Sequence, residues 1–451
     1  MTSPSGPPGA PPSEPVPQGR PRTAAAITAV ALFAGLALVL GLTTPWSPLP
    51  GEPPGGPVPV DPALDFSSAE IARSQAFDAA ITPPAYAGLL TGLVVVLALG
   101  LTPLGARLID LVTRPVGRRR ATVLRVGLAA MVLTAVLRLA GLPFDLWAET
   151  VLRRHGLSVQ TWPAWAADQF RSLVLTWVIW VLALALLYPL VRRFPRYWWT
   201  GAAAGGFALV VTVSFAYPVV VEPVFNSFTS MPAGQLRTDL LKLAERDGVP
   251  VQDVLVADAS RRTTALNAYV SGFGSTRRIV VYDTLLESSP PARVESIVAH
   301  ELGHAERQDV LYGTLTGALG VAGAVCLLYL LLTSPRLLRR SAAGSPGDPR
   351  SVALLIALVS VLTQLGGPAQ TLVSRRIEAR ADVHALELTR DPATFAAMQR
   401  ELSVRNLSDL APGRLEYLLW STHPSGPERL ALARTWARLR GVPEPDPLYR
   451  R

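Results

Sequence analysis

Residues 291–332 read PARVESIVAHELGHAERQDVLYGTLTGALGVAGAVCLLYLLL. The first part, 291–310, has helical character, with prolines at its start and none after Pro291. The second, from about 311, is an apolar run long enough to cross a bilayer as a helix, which takes about 20 residues. A polar helix carrying HELGH thus leads directly into a membrane helix. On a helix, positions four apart share a face, so His300 and His304 can reach one ion. Neutral imidazoles suit zinc, and Glu301 between them can hold the water that zinc activates, as general base and proton shuttle. His300, His304 and Glu301 are therefore candidate metal ligands and catalytic base.

Working outward, further apolar stretches of spanning length lie at roughly 24–43, 86–104, 122–142, 172–191, 200–220 and 351–373, which with 311–333 makes seven. The composition agrees with lipid: 49% of the chain is hydrophobic and 17% charged, against about a quarter charged in soluble domains. The net charge of +9 does not point to nucleic acid, because the basic residues sit in short runs beside the apolar stretches. A single cysteine, Cys326, lies inside an apolar run, which excludes an internal disulfide and a cysteine-rich zinc site. The first apolar stretch is long for a signal peptide and reads as an uncleaved anchor. Residues 1–22, rich in Pro, Gly and Ser, read as a disordered tail.

The expected organisation is a mainly α membrane protein with a small α+β protease domain. After the tail come a five-helix membrane region at 23–221, the HELGH domain at 222–310, a membrane hairpin at 311–373, and a helical C-terminal part at 374–451. Within 222–310, VQDVLVADAS and RRIVVYD read as strands rich in Val and Ile, and NAYVSGFG as a third, ending in a glycine-bearing turn. MPAGQLRTDLLKLAERDGVP reads as an amphipathic helix.

A catalytic zinc usually has three protein ligands and an open position. The third ligand is sought in SRRIEARADVHALEL, 374–388, again helical. Glu378 is the first choice, with Asp382 one turn on, placed to accept the free N–H of a zinc-bound histidine. His384 is the rival ligand, and spacing alone leaves the two open; the blander reading is a solvated helix with paired charges. STHPSGPERL, 421–430, supplies His423 and Arg429, either to stabilise an oxyanion or simply as a turn before the last helix. Arg125 and Arg138 in the third apolar stretch mark either a watery cavity or snorkelling ends.

With these motifs together, the chain resembles the type I CAAX prenyl proteases, seven-helix membrane zinc metalloproteases, from about residue 60 to 440. HELGH matches. SRRIEARAD is similar to the family's glutamate segment, which implies Glu378 as ligand and Asp382 as its supporting carboxylate. NAYVSGFGSTRRIVVYDTLLE is similar to the substrate-edge strand and its partner, which implies substrate contacts at Asn267 and Ala268 by strand addition. THPSGPERL resembles the His-Pro segment, implying substrate roles for His423 and Arg429. GLPFDLW followed by RRHGLS is similar to the loop between the third and fourth helices. The resemblance implies a water-filled chamber walled by seven helices, a gluzincin-like zinc domain, one Zn2+ per chain, and a membrane-associated peptide or protein substrate. Two positions depart from the pattern: Asp309 stands where the family often has a histidine, and Ser425 where it has a second proline.

Two other functions are consistent with parts of the sequence. One is a quality-control protease of the HtpX type, against which the extra helices and the His-Pro segment argue. The other is a non-catalytic seven-helix transporter or receptor, in which Arg125 and Arg138 line a path and no metal is bound. The Ala-, Gly- and Arg-rich composition suits a bacterium, which implies the plasma membrane. Arginines at 105–121, 192–199 and 334–350, opposite an acidic loop at 44–85, place the zinc domain outside the cytoplasm by the positive-inside rule; the eukaryotic members of the resembled family place it on the cytosolic side.

Overall fold

The computed structural model describes residues 19–116 and 122–449. Most of the Pro/Gly-rich tail, 1–18, and Arg118, Arg119 and Arg120 of the basic loop lie outside the described residues.

The membrane part opens with helix α1 (Arg20–Thr43), then α2 (Ser68–Leu101), a short α3 (Pro103–Thr113), α4 (Thr122–Arg154), α5 (Trp162–Arg193) and α6 (Trp198–Ala216). Helix α6 runs through a π turn at Tyr217–Val221 into α7 (Glu222–Phe225). The soluble part follows: β1 (Phe228–Ser230), α8 (Gln235–Arg246), β2 (Asp253–Ala257), β3 (Ala268–Ser271), β4 (Arg278–Tyr282), α9 (Asp283–Ser288) and α10 (Pro291–Glu306). The chain then returns through α11 (Asp309–Leu332), α12 (Pro335–Arg340) and α13 (Ser351–Thr389), and ends in α14 (Pro392–Arg405), α15 (Arg414–Leu419) and α16 (Gly426–Arg440). Among the described residues, seven helices are long and apolar enough to cross a membrane.

Several of these helices outrun the apolar stretches that announced them. The second span begins at Ser68 rather than 86, inside the expected acidic loop, where Ser67 and Glu70 form a capping box. The third continues to Arg154, so GLPFDLW is helix rather than loop; Pro143 lies inside it. The seventh has the largest consequence. Helix α13 has 39 residues, roughly 58 Å at 1.5 Å per residue, about twice the hydrocarbon thickness of a bilayer. Helix α13 runs through Pro368 and across the 373/374 boundary without interruption, so the membrane helix continues into the soluble part. Its N-terminal third packs in the membrane core around Val352, Leu354 and Tyr329. Its C-terminal third packs in the soluble core with Val294, Val298, Leu302 and Trp436.

Arg125 and Arg138 both find partners. Arg125 donates to Thr113 Oγ1, and Arg138 pairs with Asp145 at 2.8 Å and also donates to Gln169.

The sheet order is β1-β2-β4-β3, with β2 and β4 parallel and the other pairs antiparallel. Strand β1 was not foreseen; it is three residues long, too short for any periodicity to show. Strand β3 is an edge. The lead-in to it is tied to the turn after α4, where Thr263 Oγ1 donates to the carbonyl of Leu157 and Thr264 Oγ1 to that of Gly156.

Candidate active site

Helix α10 starts at Pro291, whose fixed φ and missing N–H suit the first helical position. Its buried face carries Val294, Val298 and Leu302 onto the sheet and α13. This leaves His300, Glu301 and His304 lining a cavity of about 1440 Å³. Helix α10 ends at Glu306, and Gln308, with a left-handed φ of 56°, precedes α11, which starts in a new direction.

The two helices that meet at the site approach closely because residue 303 is glycine. A Cβ at Gly303 would stand 2.9 Å from the Cβ of His384 on α13, well inside the ordinary carbon contact of about 3.5–4.0 Å. That approach brings Glu378 over the HELGH face. His300 Nε2 and Glu378 Oε2 are 3.3 Å apart, His304 Nε2 and Glu378 Oε1 3.5 Å, and the two Nε2 atoms 3.3 Å. Glu378 Oε2 is buried and has no hydrogen-bond donor among the described residues. Donors at the corners of a tetrahedron around a metal bonded at about 2.0–2.1 Å lie about 3.3 Å apart. Two imidazoles and a carboxylate at this spacing, one oxygen otherwise orphaned, fit a metal ion.

Both histidines are oriented through their other nitrogen. His300 Nδ1 lies 2.9 Å from Asp382 Oδ1, and His304 Nδ1 2.9 Å from Asp309 Oδ2. Each carboxylate holds the Nδ1 proton, so Nε2 is the nitrogen turned to the site and the one that would bind a metal once it has lost its own proton. Asp382 is fully buried and receives two bonds from Arg429, through Nε at 2.9 Å and through Nη2. Burial alone would lower the His300 pKa, yet Asp382 and Glu378 hold it up to about 10 in the metal-free site.

Glu301 also lines the cavity and interacts with His300, His304 and Glu378 through charge alone. Burial pushes its carboxyl above the ordinary range, against the pull of the two histidines. His423 sits on the loop before α16, its ring 59% exposed to the cavity, with Nε2 3.4 Å from Glu378 Oε2. The surrounding cavity wall pushes its pKa down, with Glu378 pulling the other way.

His384, the rival ligand, is turned away: its Nε2 lies 2.9 Å from Asp247 Oδ1. Asn267 and Ala268 both line the cavity. Tyr282 N–H donates to the Asn267 carbonyl, so in the antiparallel ladder the backbone groups of Asn267, Tyr269 and Ser271 face β4, and those of Ala268 and Val270 face away from it. The free edge is thus carried by Ala268 and Val270. Sequence reasoning missed Val270, Gly303, Arg380 and the bond from Asp309. Alternation within NAYVS could have found the first; the glycine inside HELGH marked a close approach, but not of which helix.

With this geometry in place, the chain is 32% identical over 303 residues to an uncharacterized metalloprotease, YhfN, of Bacillus subtilis, a match covering 66% of this chain and 71% of that protein. The chain belongs to peptidase family M48. The family model matches residues 230–437 of this M48 protein, and a model described as the CAAX prenyl protease N-terminal region, five membrane helices, matches 58–227. A CAAX prenyl protease 1 homolog of Oryza sativa is 30% identical over 303 residues, covering 65% of this chain and 69% of that protein. CAAX prenyl protease 1 of Saccharomyces cerevisiae is 27% identical over 319 residues, covering 66% and 69%. The crystal structure of S. mikatae Ste24p shares the fold, with a TM-score of 0.74 at 20% identity over 92% of this chain and all of that one. This M48 protein is a multi-pass membrane metalloprotease acting on peptide or protein substrate.

Proposed function

We propose that this M48 protease is a zinc endopeptidase with one Zn2+ held by His300, His304 and Glu378. The observation that carries the reading is the gathering of two imidazole Nε2 atoms 3.3 Å apart against the Glu378 carboxylate, one oxygen 3.3 Å from His300 and the other 3.5 Å from His304, with Glu301 beside them in the cavity wall. Zinc bound there supplies Lewis-acid polarisation of the attacking water and the scissile carbonyl.

The chain's own groups do the rest. Substrate adds as a strand along the free edge of β3, pairing with Ala268 and Val270, while the side chain of Asn267 faces it from the cavity wall. Glu301, raised by burial, takes the proton of the attacking water and passes it to the leaving amine. His423 donates a ring N–H to the oxygen that gains charge. Arg429 acts chiefly through Asp382, to which it donates two bonds and which in turn holds His300; its Nη2 also lies 3.2 Å from His300 Nδ1.

The relatives named CAAX prenyl proteases and the match to their five-helix N-terminal region support C-terminal processing of membrane-associated proteins over quality control. The Bacillus subtilis relative supports a bacterial source and thus the plasma membrane. Glu301→Gln in purified protein tests the mechanism: zinc should be retained while peptide cleavage falls by at least about a hundredfold. Undiminished cleavage would refute it.

A further inference from the structure

Asp309 is the first residue of α11, and its surroundings give it a task. Its Oδ2 lies 2.9 Å from His304 Nδ1, while its Oδ1 accepts from Arg380 Nη2. The carboxylate is mostly enclosed, with 13% of its side chain exposed, so the pair is weakly screened by solvent.

The contact depends on the break between α10 and α11. On a continuous helix, a residue five positions after His304 would lie roughly 140° round the axis from it, facing away. The left-handed Gln308, φ 56°, lies between α10 and α11 and folds the first residue of α11 back onto the histidine.

The arrangement repeats around the other histidine. His300 is backed by Asp382, which is held by Arg429; His304 is backed by Asp309, which is held by Arg380. Arg380 and Asp382 both flank Glu378 on α13. One helix therefore contributes a ligand, the carboxylate behind one histidine, and the cation behind the other.

We propose that Asp309 is a positioning residue for His304, fixing its tautomer and ring plane so that Nε2 faces Glu378, with Arg380 holding Asp309 in place. This rests on the zinc reading above. The test uses full-length protein in detergent, stripped of metal and titrated with Zn2+ against a competing chelator. Asp309→Ala should weaken zinc binding by about 10- to 100-fold. Asp309→Asn, which keeps the shape and loses the charge, should fall between that variant and the parent. The melting temperature of the metal-free protein should fall less in Asp309→Asn, which can still accept from Arg380, than in Asp309→Ala. Zinc affinity within about twofold of the parent in both variants overturns the proposal. So does Asp309→Asn binding like the parent while Asp309→Ala loses zinc and metal-free stability together, for then the role is structural. A parent that takes up no Zn2+, or a Glu378→Gln variant that holds it equally well, sinks the zinc reading instead, so the two failures are distinct.

Discussion

Gly303→Ala should damage the site without touching a ligand. The added methyl would sit 2.9 Å from His384 Cβ and 3.0 Å from its Cγ and Cδ2. Restoring ordinary contact of about 3.5–4.0 Å requires α10 and α13 to part by roughly 0.6–1 Å. His300 and His304 ride on one of these helices and Glu378 on the other, so the same displacement opens the 3.3–3.5 Å spacings on which a shared ion depends. Overpacking of this kind costs about 1–3 kcal/mol. If that strain falls on the metal-bound geometry, zinc affinity drops between roughly fivefold and a hundredfold. The assay is chelator-competition titration of Zn2+ on purified protein, with peptide cleavage measured at saturating metal and melting temperature recorded beside it. Gly303→Val should be worse than Gly303→Ala, since the effect scales with the volume forced between the helices. A Gly303→Ala variant with parental zinc affinity, activity and melting temperature would refute the claim that this close approach sets the site.

Two further outcomes follow from the geometry. Val270→Pro deletes an N–H on the free edge of β3 while leaving the β4 ladder intact; cleavage should fall about tenfold or more with zinc content unchanged, and a variant cleaving at the parental rate argues against strand addition at this edge. Zinc uptake should depend on pH: with its pKa held up to about 10, His300 carries a proton in the metal-free site that Zn2+ must displace. Proton and metal compete, so affinity rises with pH, about tenfold per unit below that value. Calorimetry in buffers of different ionisation enthalpy should show about one proton released from this group per zinc, and a pH-independent affinity between 6.5 and 8.5 contradicts the assignment.

Much of this protein was legible in one dimension because the relevant signals are local. Seven apolar runs announce seven spans, since each helix must be apolar over about 20 residues wherever it sits in the bundle. The i, i+4 spacing of His300 and His304 is fixed by helical geometry alone. Helix ends were less legible: α2, α4 and α13 continue past their apolar stretches, because a helix persists as long as its polar residues find caps or partners outside the membrane. Spacing left Glu378 and His384 open as third ligand. Packing separates them: Glu378 Oε2 lies 3.3 Å from His300 Nε2, whereas His384 Nε2 lies 2.9 Å from Asp247 Oδ1. Nor could spacing show that Arg429, while lining the cavity, pairs with the buried Asp382. The sequence by itself determined which residue types were present and which of them share a helix face. Only the tertiary structure decided which helices touch, and hence which carboxylate meets which imidazole, because those distances belong to contacts between segments far apart in the chain.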